Sequence, residues 1–169
     1  MKYFILLSFF LVYCFFGLEL GYSATLPVWK HITYMFQHAS LMHLLINSFS
    51  FFVFFSALIR HYPPWRIALL SFSVGFAASF FCTYSQVVVG ASGVIYAMIG
   101  MYFFLVTIGR VRFQNKTSLI VSIVSVLTFL TISFLKHNSA GMLHLLCLLS
   151  GYLGSFLLSL LSPKHQTIN

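Results

Sequence analysis

Six stretches of this 169-residue chain run for about the thickness of a bilayer core with hardly a charge in them, at about 2–20, 41–59, 65–84, 92–108, 118–135 and 142–161. Apolar runs of roughly 17 to 25 residues are what a membrane-spanning helix requires. Hydrocarbon offers no partner for backbone N–H and C=O groups, so a segment that crosses it must satisfy them internally, as a helix does. The connections are short and leave no room for a separate soluble domain. With 60% hydrophobic and 6% charged residues and a mean hydropathy of +1.00, the expectation is an all-α polytopic membrane protein. It would form one six-transmembrane-helix bundle, a single membrane domain over 1–169.

The first run opens Met1-Lys2 like a secretory signal, yet it lacks a small-residue cleavage site and is as long as a spanning helix, so it reads as a retained helix. Cys14, Cys82 and Cys147 all fall inside apolar runs and read as small apolar residues, not as a disulfide or metal set. The formal charge of +8 is scattered among the connections, unlike a nucleic-acid footprint. It reports orientation instead. With a cytoplasmic N terminus, Lys2, Arg60, Arg66, Arg110, Arg112, Lys116 and Lys164 lie inside, and only Lys30 and Lys136 lie outside. Both termini are expected in the cytoplasm, and a bacterial source would put the protein in the plasma (inner) membrane.

Counting back from the inner charges brings three reactive side chains to one depth. His43 precedes Arg60 by 17 residues, Ser92 precedes Arg110 by 18, and His144 precedes Lys164 by 20. At 1.5 Å per helical residue each sits roughly 25 to 30 Å above the inner charge ring, near the outer face. Small residues recur just below that layer: Cys147, Gly151 and Ser155 in the sixth run, Gly93, Ala97 and Gly100 in the fourth. Such stripes let helix backbones approach closely, which would bring Ser92 and His144 together.

His43 and Asn47 are four apart and share a helical face. Singly, either could be no more than a hydrogen bond between helices; beside Ser92 they read as donors for a developing oxyanion. Glu19 is the only carboxylate in the chain, and it reads as an interfacial residue reaching water. Paired-carboxylate catalysis, a zinc-protease motif and a Ser-His-Asp triad are therefore excluded. What remains is a dyad in which Ser92 attacks and His144 serves as general base, then acid. Ser92 at a helix N-terminus would also lend backbone N–H groups and the positive helix end to an oxyanion. Tyr96, one turn below Ser92, either orients the His144 ring or simply fills the core.

At these residues the chain resembles the rhomboid family of intramembrane serine proteases. Gly90-Ala91-Ser92-Gly93 is similar to the family's nucleophile motif and Tyr96 to its following tyrosine. His38, His43 and Asn47 resemble its second-helix signature, and His144 with Gly151 its sixth-helix base and glycine stripe. Trp29-Lys30 is similar to the Trp-Arg pair of its first outer loop, with Lys replacing Arg. Cys147 stands where the family usually has Gly, which implies a slightly wider contact between the fourth and sixth helices. The resemblance implies hydrolysis of a peptide bond in or near the transmembrane segment of a protein substrate, within the lipid bilayer, with no metal and no cofactor. Gly90, His38, His43, Asn47 and Tyr96 would support the dyad. The competing class is a catalytically inactive relative that binds membrane clients.

Overall fold

The computed structural model describes residues 1–23, 25–82, 84, 86–135 and 140–161. Its helices are α1 (Lys2–Phe15), a short α2 (Lys30–Thr33), α3 (Leu41–Leu58), α4 (Pro64–Ser79), α5 (Ser92–Thr107), α6 (Lys116–Leu135) and α7 (Gly141–Leu161), with single 3-10 turns at Leu18–Leu20 and Tyr34–Phe36. Of these, α3, α6 and α7 are long and apolar enough to cross a membrane by length and composition, while α1 and α5 are apolar but shorter. Lys136 and Lys164, used above to read orientation, lie outside the described residues.

Two apolar runs outlast their helices. The first was expected to continue to 20, but α1 stops at Phe15, where Phe16 turns extended (φ −124°, ψ 137°) ahead of Gly17. Glycine is a poor helix residue, and the chain is needed elsewhere. Tyr22 pairs with Val88 through two backbone hydrogen bonds of 3.1 and 2.8 Å. Gly21 permits that approach, since a Cβ there would strike the Val87 and Val89 side chains and lie 2.9 Å from the Val88 carbonyl. The third run was expected to reach 84, yet α4 ends at Ser79. Beyond it, the Tyr84 hydroxyl accepts from the Leu143 N–H (3.3 Å) at the start of α7.

Helix α5 is the axis of the bundle. Eleven of its sixteen residues are buried, and it packs on α7 more extensively than any other pair of elements. The reason lies in two glycines. A Cβ on Gly151 would land on the Ala97 carbonyl, and one on Gly100 would land on the Leu148 carbonyl. With no side chains between them, the two backbones meet directly and gain dispersion and weak Cα–H···O contacts, the main association forces where lipid is as apolar as the helix surface. Cys147 is accommodated opposite Gly93, where a Cβ would meet its sulfur at 3.3 Å. Its presence therefore does not hold the two helices apart.

Around this pair, α3 and α4 pack on α5, and α1 packs on α3. The Lys2 ammonium donates to Ser56 Oγ (2.8 Å) and lies 4.3 Å from the Phe52 ring centroid, tying the start of α1 to the end of α3. Helix α6 is the exception, with no buried residue. Its Val121, Val124, Leu127 and Leu135 are exposed, as expected of a helix that faces lipid.

Gly151→Ala should lower stability by about 1–3 kcal/mol, the usual cost of overpacking a tight contact. Gly17→Ala, whose Cβ would meet only the Glu19 carboxylate at an ordinary contact distance of 4.0 Å, should change it by less than about 0.5 kcal/mol. Thermal unfolding in detergent measures both, and equal midpoints for the two variants would contradict the close α5–α7 contact.

Candidate functional site

Ser92 begins α5, and Ala91 precedes it as the capping residue without a side-chain cap. The first intrahelical bond runs from Ile95 N–H to the Ala91 carbonyl (3.0 Å). The amides ahead of it therefore have no partner within the helix and point out past its start. The turn into the helix depends on Gly90, which holds φ +123°, a region that side-chain-bearing residues avoid. Its N–H donates to the Tyr34 carbonyl (2.9 Å), so the turn is anchored to the 3-10 turn at Tyr34–Phe36.

His144 lies in the first turn of α7 and is 7% exposed. Its Nε2 is 2.7 Å from Ser92 Oγ, a hydrogen bond between two helices. The Tyr96 ring stacks on the imidazole with centroids 4.5 Å apart and planes at 19°. Tyr96 is thus both in contact with the histidine ring and part of the buried core.

The other side of Ser92 is formed by α3. Ser40 caps that helix, its Oγ accepting from the His43 N–H (3.2 Å), and this sets the register that aims His43 and Asn47 at Gly90. A Cβ on Gly90 would fall 2.7 and 2.8 Å from His43 Cε1 and Nε2 and 3.2 Å from Asn47 Nδ2. The absent side chain therefore leaves a small space bounded by an imidazole and an amide. Asn47 is 5% exposed, and its Nδ2 has no hydrogen-bond partner among the described residues. A buried donor left unpaired costs about 1–3 kcal/mol, a cost that an incoming oxygen would relieve.

His38 sits apart from this space. It lies in the loop ahead of α3, wedged edge-on between the Phe9 and His43 rings, each 5.3 Å away. Burial first, then the neighbouring His43, pushes its imidazole down to about 4. It is thus a neutral ring packed behind His43.

One side chain that sequence patterning did not single out also reaches the site. Ser133 of α6 places its Oγ 3.0 Å from His144 Nδ1, on the side of the ring opposite Ser92. A serine eleven residues ahead of a histidine carries no periodic signal, because the connection between α6 and α7 separates them.

The result is an all-helical integral membrane protein with a serine at one helix start hydrogen-bonded to a histidine of the adjoining helix. Residues 25–161 match the family model described as Rhomboid domain. The chain is 33% identical over 134 residues to a Bacillus subtilis (strain 168) protein named "Putative rhomboid protease YdcA", a match covering 76% of this chain and 66% of that protein's length. The chain belongs to the rhomboid family.

The low pKa of His38 makes stability depend on pH. Between the usual 6.5 and about 4, the unfolded chain binds a proton there that the folded chain refuses. Stability is thus fully present above about pH 6.5 and falls as the pH drops through that window, by about 3 kcal/mol in all. His38→Phe should flatten the acid limb of a stability-against-pH curve by that order, and superimposable curves would show that His38 protonates normally in the folded protein.

Proposed function

We propose that this protein is an intramembrane serine endopeptidase that cleaves the transmembrane segments of membrane-protein substrates. The observation that carries the reading is the 2.7 Å contact between Ser92 Oγ and His144 Nε2, beside a buried amide nitrogen with no partner. Family membership and the printed name of the Bacillus relative support the same reaction class. In this reading the six long helices act as one membrane domain with both termini in the cytoplasm.

Ser92 Oγ attacks the carbonyl carbon of the scissile peptide bond as its proton passes to His144 Nε2. The carbonyl oxygen becomes an oxyanion, met by Asn47 Nδ2, by the His43 imidazole and by the free amides at the start of α5. Collapse expels the amine, which takes the proton from His144, and leaves an ester on Ser92. Water then attacks that ester, gives its proton to His144 and releases a carboxylic acid, with the Ser92 hydroxyl restored. The glycine at 90 leaves the oxyanion its space, and Tyr96 keeps the imidazole in plane with its target.

Ser92→Ala or His144→Ala should abolish cleavage of a model transmembrane substrate in detergent, a loss of about 10⁴-fold or more, and Ser92→Ala should also abolish labelling by a fluorophosphonate. Cleavage that persists in either variant would overturn the dyad; a folded wild-type protein that never labels would point to client binding without hydrolysis. Asn47→Ala should lower kcat by about 10²–10³-fold with little change in KM, as expected for an oxyanion donor. A change confined to KM would assign Asn47 to substrate binding.

A further inference from the structure

We propose that Ser133 is the positioning residue that takes the place of a third catalytic group, holding His144 in the tautomer protonated on Nδ1. Counting protons across the network supports this. Ser133 Oγ lies 3.0 Å from the Phe129 carbonyl one turn back on α6, and a carbonyl can only accept, so the hydroxyl donates there. The same oxygen is 3.0 Å from His144 Nδ1, and with its proton committed it accepts from Nδ1–H. That leaves Nε2 as a bare lone pair facing Ser92, whose hydroxyl donates to it at 2.7 Å. Three protons thus make three hydrogen bonds. The opposite tautomer would put a proton on Nε2, aim it at Ser92 Oγ and leave the Ser92 hydroxyl proton with no acceptor among the described residues.

A neutral hydroxyl suits the place. The chain has one carboxylate, Glu19, and an ionised side chain buried beside His144 would carry a desolvation cost that a serine avoids. The Tyr96 phenol also interacts with Ser133, so the ring that stacks on His144 is tied to the same hydroxyl.

Ser133 also makes the dyad depend on where α6 stands. Helix α6 has no buried residue and packs chiefly on α7. At its outer end it comes close because Gly141 has no side chain; a Cβ there would lie 2.9 Å from the Ser133 carbonyl and 3.0 Å from the Phe134 ring. Docked, α6 presents the acceptor to Nδ1; moved away from α7, it removes the acceptor and frees the imidazole to exchange tautomers.

The consequence for rate rests on the protease reading above, but the tautomer does not. Full-length protein labelled with ¹⁵N at histidine, with the His144 signals assigned by their absence in His144→Gln, reads the ring directly. The wild type should show a protonated Nδ1 and a bare Nε2, and Ser133→Ala should show averaging between tautomers. Fluorophosphonate labelling of Ser92 should slow about 10-fold in Ser133→Ala, the value of one lost neutral hydrogen bond, and Ser133→Thr, which keeps the hydroxyl, should restore it. Thermal midpoints identify any variant that has lost its fold, and the Thr variant then carries the comparison. A wild-type ring protonated on Nε2, a labelling rate in folded Ser133→Ala within twofold of wild type, or a folded Thr variant as slow as Ala would each overturn the proposal. A wild-type protein that does not label but shows the expected tautomer would instead overturn the protease reading and leave this one standing.

Discussion

The direct meeting of the α5 and α7 backbones governs the rest of the molecule. In lipid, two apolar helix surfaces gain nothing by leaving the solvent, so association depends on how closely atoms can approach. Gly100 against the Leu148 carbonyl and Gly151 against the Ala97 carbonyl bring the two chains into contact. Ser92 and His144 lie above that contact on helices that cannot slide without separating these atoms. Their 2.7 Å hydrogen bond is thus inherited from packing about one to two turns below. The other helices fill in around this pair, and α6 alone stays at its margin.

The segments ahead of α3 and at the end of α4 are coupled to the same pair by short polar links. Gly90 hangs from the Tyr34 carbonyl, while the Tyr34 hydroxyl donates to the Gly75 carbonyl of α4 (3.0 Å). His31 meets Ser79 at 2.7 Å and stacks on Phe80 with centroids 4.2 Å apart. These links explain how a glycine at φ +123° keeps its shape beside Ser92. The turn is held from both sides, by the loop ahead of α3 and by the end of α4.

Much of this was legible in the residues themselves. Hydropathy located the long helices, and the placement of Gly93, Ala97, Gly100 and Gly151 foretold which two would touch. Their distances along the chain from the basic residues bring Ser92, His43 and His144 to one level. Two helix ends were misjudged because hydropathy measures affinity for lipid and not backbone conformation. Residues 16–18 and 80–82 are apolar, yet the helices stop short of them, and the chain beyond leads to Tyr22, which pairs with Val88, and to Tyr84, which reaches Leu143. Ser133 was invisible for another reason. Its position relative to His144 is set by how α6 docks on α7, and serines in membrane helices are common enough to carry no signal alone.

The lengths of α5 and α6 have a mechanical consequence. At 16 residues, α5 spans about 24 Å, shorter than a hydrocarbon core of about 30 Å, while the 20 residues of α6 match that core. The shorter helix is enclosed by protein and largely indifferent to the membrane around it. The longer one is bathed in acyl chains, and its tilt answers to bilayer thickness at fractions of a kcal/mol per Å of mismatch. Ser133 sits on the second of these and His144 beside the first. A change in bilayer thickness would therefore act on the helix that carries one partner of a 3.0 Å hydrogen bond, while the other partner stands on α7, which is held to α5 by direct backbone contact.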